Sequence, residues 1–168
     1  MSKTGSYDAL LTVCIQDLHA GEKMLSGCLP RVAEHANDPA LAVLLATLRD
    51  EAVAAAAALA DTGRHEGGAK NLWMDGICKD AVRDTGSIEP GVLLDAAIVG
   101  AIRKAKAAQI VSYETTVAVA GLLEKENVHG ALTAIREQAV RADARLAAHL
   151  PGCQPGSDAL GKSAQTSS

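Results

Sequence analysis

The sequence predicts an all-α protein: an antiparallel four-helix bundle with one short extra helix in the second-to-third connection. Three observations carry that expectation. Only 2% of the 168 residues are aromatic, with one Trp, two Tyr and no Phe, whereas sandwiches and barrels draw on aromatic and β-branched side chains. Alanine, the best helix former, is heavily used, with the run Ala54-Ala55-Ala56-Ala57-Ala58. Apolar residues also recur at helical 4-3 spacing over four long stretches separated by turn-forming residues.

The first helix is expected from about Ser6 to Ala36. The second opens at Asp38-Pro39, an N-cap followed by proline at the first helical position, and ends near Asp61. Thr62 to Lys70 carries three glycines and little to bury. A short helix follows from about Asn71 to Asp84, and the Gly86–Pro90 break caps a third long helix reaching about Glu124. The fourth covers roughly Val128 to Leu150. The bundle therefore occupies residues 1–150, and the Pro-, Gly- and Ser-rich stretch 151–168 reads as a disordered C-terminal tail. Short loops between long helices favour antiparallel neighbours.

Charge and composition exclude several functions. A net charge of −4 offers no basic face for nucleic acid, and the scarcity of aromatics leaves no stacking platform for single strands. No apolar run reaches the ~18 residues needed to span a bilayer, and Met1 to Tyr7 shows no signal pattern, so a cytoplasmic location without membrane attachment is expected. Cys14, Cys28, Cys78 and Cys153 form no C-x-x-C pair and are expected to be buried or idle thiols.

Polar residues interrupt the apolar stripes at one depth. The first helix reads Leu11, Ile15, Leu18, Glu22, Leu25, Leu29, Val32, and the second Leu41, Leu44, Leu48, Glu51, Ala55, Ala58. The third reads Val99, Ile102, Lys106, Gln109, Tyr113, Val117, Ala120. The fourth reads Leu132, Ile135, Ala139, Ala142, Leu146, with Gln138 and Asp143 flanking it. Either a stripe drifts and its Glu reaches water, or the groups pair or ligate a metal, because an unpaired buried charge costs several kcal/mol. His19, one turn before Glu22, is either a rim residue or a further ligand. His35, His65, His129 and His149 fall near helix ends or in loops and are expected to be solvated.

The stretch from Gln16-Asp17-Leu18-His19-Ala20-Gly21-Glu22-Lys23 to Cys28-Leu29-Pro30-Arg31 resembles the D-L-Y-x-A-E-K-Q-L…A-L-P-K opening of the YciE/YciF-type ferritin-like proteins. Asp38-Pro39-Ala40-Leu41, Arg49-Asp50-Glu51, Met74-Asp75-Gly76-Ile77, Asp95-Ala96-Ala97-Ile98 and Ile110-Val111-Ser112-Tyr113 are similar to the family's later motifs in the same order, over about Tyr7 to Leu150. The resemblance implies a ferritin-like bundle of a small bacterial stress-associated protein, in which helical carboxylates and a histidine converge on two irons.

Carried over by position, Glu22, Glu51 and Asp143 stand at metal-binding places. The family's third-helix E-H-Y-E falls on Lys106, Ala107, Ala108 and Gln109 and its fourth-helix E-E pair on Gln138 and Ala139, while Ala54 replaces a ligand one turn after Glu51. The resemblance thus implies an incomplete ligand set, and no cofactor is expected. Glu22, Glu51, Lys106, Gln109 and Gln138 would then form a polar core in which the lysine neutralises the acids, in a non-catalytic homodimer. The alternative is a metal-binding protein with residual iron or peroxide chemistry on Glu22, Glu51, Asp143 and His19.

Overall fold

The computed structural model describes residues 4–150, so the expected tail lies outside the described residues. Five helices follow in order, α1 (Tyr7–Ala33), α2 (Pro39–Ala60), α3 (Leu72–Ser87), α4 (Val92–Leu122) and α5 (Glu126–Ala147), with no strand among the described residues. None of these helices is long and apolar enough to cross a membrane.

The starts of the first three helices follow from side-chain caps. Ser6 Oγ accepts from the Ala9 amide at 3.1 Å, Asp38 Oδ1 from Ala40 at 2.8 Å with Pro39 opening the helix, and Asn71 Oδ1 from Met74 at 2.8 Å. α4 has no side-chain cap. Its N-cap is Gly91 at φ 118° and ψ −154°, a conformation essentially reserved for glycine. α1 stops three residues short of the expected Ala36 and carries Pro30 in its last turn. The short α3 runs three residues past the expected Asp84.

α1 packs chiefly on α2 and α4 on α5, while α1–α4 and α2–α5 contacts complete the set and α3 lies against α1 and α4. The core divides into two apolar clusters. One joins Leu25 and Leu29 of α1 to Leu41 and Leu48 of α2, Ile98 and Ile102 of α4, Leu146 of α5 and Met74 of α3. The other joins Leu11 and Ile15 of α1 to Leu59 of α2, Tyr113 of α4 and Leu132 of α5. Glu22, Lys106 and Gln109 fall at chain positions between the two clusters, all buried.

The stripes of α1 and α5 are buried as their spacing predicts. α2 is turned by about one position: Leu45, Ala52 and Leu59 are buried, whereas Leu44 and Ala58 are half-buried. Late in α4, Thr116 and Val119 are buried and Val117 only half-buried. The turn of α2 moves Glu51 from the expected seam to its edge, half-buried.

Candidate functional site

The polar layer draws on four helices: Glu22 of α1, Glu51 of α2, Lys106, Gln109 and Tyr113 of α4, and Gln138 and Arg145 of α5. Glu22 on α1 is 2% exposed, and its Oε1 accepts from the Tyr113 hydroxyl of α4 at 2.8 Å. Its Oε2 is buried without a hydrogen-bond partner, as are both amide atoms of Gln109 one turn before Tyr113. Burial pushes the Glu22 carboxyl above its ordinary range, while Lys106, the Tyr113 hydroxyl and the Gln109 amide pull it back. Burial likewise lowers the Lys106 ammonium, against the attraction of Glu22 and Glu51, and Arg145 lowers it further. The Tyr113 phenol is pushed well up, first by burial and then by the adjoining carboxylate.

Among the described residues Lys106 makes no direct ion pair with either glutamate. Glu51 is instead held by Arg145 of α5, whose Nη2 donates to both carboxylate oxygens at 2.7 Å. Rotation of α2 carries Glu51 to the α5 side, where the longer guanidinium reaches it. Glu22, Glu51, Lys106 and Gln138 line one cavity of about 10 Å³ between α1, α2, α4 and α5, about the space of a single water. Asp143 is drawn off elsewhere, because Arg103 of α4 donates to its two oxygens at 2.7 and 3.1 Å through Nε and Nη2. The layer therefore holds two carboxylates with two cations, and Asp143 belongs to a separate pair.

His19 stays at the rim, its ring edge-on to His65 with centroids 4.8 Å apart. The expectation of solvated histidines fits His35, which is exposed, but not His65, whose Nδ1 is enclosed without a partner, nor His149, 3.1 Å from Asp38 Oδ2. The loop before α3 and the end of α5 fold back onto the bundle, which covers these rings. Among the described residues no three or more His, Cys, Asp and Glu side chains gather into a group that could hold a metal ion.

A family model described as "Domain of unknown function (DUF892)" matches residues 6–155, which span all five helices. The chain belongs to this family. No curated protein matches it in sequence. Among solved structures, the DUF892 chain is similar to the E. coli stress protein YciF, with a TM-score of 0.79 and 20% identity over 84% of this chain and 92% of that one. It is also similar to YcfI from Rhodopseudomonas palustris, with a TM-score of 0.80 and 24% identity over 86% of this chain and 94% of that one. At these identities the likeness is one of fold, and it agrees with the YciF-type resemblance of the sequence.

Several residues of this DUF892 chain act where sequence reasoning assigned them nothing. Asp95, 8% exposed in the first turn of α4, accepts from the Asn37 amide at 2.7 Å and the Asp38 amide at 3.0 Å, tying the α1–α2 connection to α4. Asn71 and Trp73 both hold Asp17 of α1, through its carbonyl at 3.0 Å and its carboxylate at 3.1 Å. Cys28 of α1 and Cys78 of α3, fifty residues apart, come together: Cys28 Sγ lies 3.8 Å from the Cys78 carbonyl and Cys78 Sγ 3.9 Å from the Met24 carbonyl. The family-like Asp95-Ala96-Ala97-Ile98 motif hints at Asp95. Nothing in the spacing hints at the thiol pair.

Proposed function

We propose that this protein is a stress-associated, ferritin-like bundle, non-catalytic at its centre, in which an internal polar layer takes the place of a two-iron centre. The ferritin-like layout is supported by which halves of the helices share a cluster. The start of α1 meets the end of α2, the end of α4 and the start of α5. That pattern makes α2 and α4 run alike, with the connection carrying α3 returning along the bundle. The stress association rests on likeness in fold to YciF and on the sequence resemblance.

The observation that carries the reading is the hold of Arg145 Nη2 on both oxygens of Glu51, beside the buried Lys106 ammonium and the Glu22–Tyr113 hydrogen bond. Two ferrous ions bring four positive charges and require several anionic or imidazole donors. The central residues do not fit that group. Glu22 and Glu51 face two cations, Gln109 and Gln138 are neutral, and an ammonium has no lone pair to give. Asp143 is engaged by Arg103. The Lys and Arg charges supply internally the compensation that metal would bring.

Elemental analysis of the full chain after iron-replete expression tests this directly. Iron at trace level is expected. A stoichiometric, oxo-bridged pair of irons would overturn the reading. A homodimer is the accompanying proposal, supported by the exposed Val92, Leu93, Val111 and Leu122 along α4 and the prevalence of two-fold assemblies. Light scattering that gives the monomer mass at micromolar concentration would remove it.

A further inference from the structure

The contact between α1 and α3 holds an arrangement that core packing does not require. Cys28 and Cys78 face one another so that each sulfur reaches the backbone of the opposite helix, at 3.8 and 3.9 Å. Both thiols line a cavity of about 320 Å³ that opens to solvent and is bordered by Arg31, Asp75 and Lys79. Lys79 is committed to Asp75 at 2.8 Å, whereas Arg31, one turn after Cys28, makes no ion pair among the described residues. Packing in the core cluster accounts for two small side chains at this contact, not for both of them carrying sulfur. Two thiols, an uncommitted guanidinium and an open cavity are instead the parts of a two-electron sulfur site.

We propose that Cys28 and Cys78 form a dithiol site that a small hydroperoxide oxidises to a reversible disulfide joining α1 to α3. The Cys28 thiolate attacks the terminal peroxide oxygen, so that the S–O bond forms as the O–O bond breaks, and the departing alkoxide or hydroxide takes a proton and leaves as an alcohol or water. The Cys78 sulfur then attacks Sγ of the Cys28 sulfenic acid. The S–S bond forms, the S–O bond breaks, and the Cys78 proton leaves with the hydroxyl group as a second product, water. Two thiols lose two electrons and the peroxide gains them. A small-molecule or protein dithiol returns the pair to its reduced form by exchange.

The order of the two cysteines follows from their surroundings. Cys28 is drawn down from the usual thiol range by the hydrogen bond with Cys78 and then by Arg31, against its burial. Cys78 is pushed far up, first by the same hydrogen bond, then by burial and by the nearby Asp75 carboxylate. Arg31, one turn after Cys28, favours a thiolate there, and Asp75, one turn before Cys78, disfavours one on its neighbour, so Cys28 is the attacking thiolate and Cys78 the resolving thiol. Cys14 has no neighbouring thiol in this cavity and is raised by burial.

The test uses the full chain, reduced, freed of reductant and treated at neutral pH with one equivalent of hydrogen peroxide. Thiol titration under denaturing conditions and peptide mass mapping give the products. The expected result is loss of two thiols per chain in a peptide pair joining Cys28 to Cys78 within one chain, reversed by dithiothreitol. Cys28→Ala should slow peroxide consumption at least ~10-fold, as expected when the most reactive thiolate is removed. Cys78→Ala should halt at a sulfenic acid on Cys28, captured by a cyclic 1,3-dione, with helical circular dichroism confirming that both variants fold. Retention of all thiols, first oxidation at Cys14 or Cys153, or a link only between chains would overturn the proposal.

Discussion

Removing the Tyr113 hydroxyl probes the polar layer with the least disturbance of packing. Tyr113 is fully buried, and its hydroxyl gives Glu22 the hydrogen bond at 2.8 Å that holds Oε1, while Oε2 has none. Tyr113→Phe keeps the ring and opens no space larger than one oxygen. A hydrogen bond to a buried charged group contributes about 1.5–3 kcal/mol, so a loss of about 2 kcal/mol is expected at pH 7. For a domain of this size that lowers Tm by roughly 4–8 °C.

The pH dependence fixes the cause. Burial places the folded Glu22 pKa above its ordinary 4.5, so the folded chain binds a proton more tightly than the unfolded one and gains stability as pH falls through the folded value toward 4.5. Without the phenol the folded pKa rises further, and the variant gains more on acidification than the parent. The phenol's stabilisation of the ionised acid is thus fullest above the folded Glu22 pKa and declines as pH falls through it, leaving about 1 kcal/mol or less for a neutral hydrogen bond. Urea unfolding of both proteins at pH 7 and pH 5 measures the difference. A gap below ~0.5 kcal/mol at both pH values, typical of a surface change, would refute the argument, as would a gap that widens at pH 5.

Lys106→Met should destabilise the fold at pH 7 by about 1–2 kcal/mol, less than the 3–5 kcal/mol typical of breaking a direct buried pair. Its ammonium compensates Glu22 without touching it, and its own burial offsets part of the benefit; equal melts at pH 7 and pH 5 to the parent's would count against this. Gly91→Ala, which forces a side chain onto φ 118°, should cost about 1–3 kcal/mol, read as a drop in the urea midpoint with an unchanged slope. Asp95→Asn replaces one of two acceptors of the Asn37 and Asp38 amides with a donor, and chemical denaturation should show a loss of about 2 kcal/mol. Faster amide exchange at residues 37 and 38 would accompany it.

Helix order and the inward faces of α1 and α5 were legible because their leucines and isoleucines fall on a single 4-3 line with charged residues opposite. The sequence also marked Glu22, Lys106 and Gln109 as interruptions at one depth, and the structure buries all three. α2 resisted reading. Leu44 and Leu45 are adjacent leucines and residues 54–58 are all alanine, so a rotation of one position changes nothing visible in the pattern. That rotation is what sends Glu51 to Arg145 rather than Lys106. Arg145 itself sits beside the apolar stripe, and a stripe reading passes over a flanking arginine whose reach, not its position, brings it to the site. The Cys28–Cys78 and Asp95–Asn37 contacts depend on how separate helices dock, which local periodicity does not encode.

The division of the core into two apolar clusters has a consequence for alignment along the bundle axis. Leucine and alanine seams alone are nearly indifferent to a slide of one helical turn, since each knob finds a similar hole one turn away. Such a slide of α4 would carry Lys106 to the depth of Leu25 on α1 and Leu48 on α2, where its charge has no counterpart. Glu22, Lys106 and Gln109 therefore act as a key between α1 and α4, admitting one axial setting and penalising its neighbours. Replacing the three together by Met, Met and Leu should give a chain at least as resistant to urea but with poorly dispersed methyl resonances. In that exchange, thermodynamic stability would rise while the single alignment of the helices was lost.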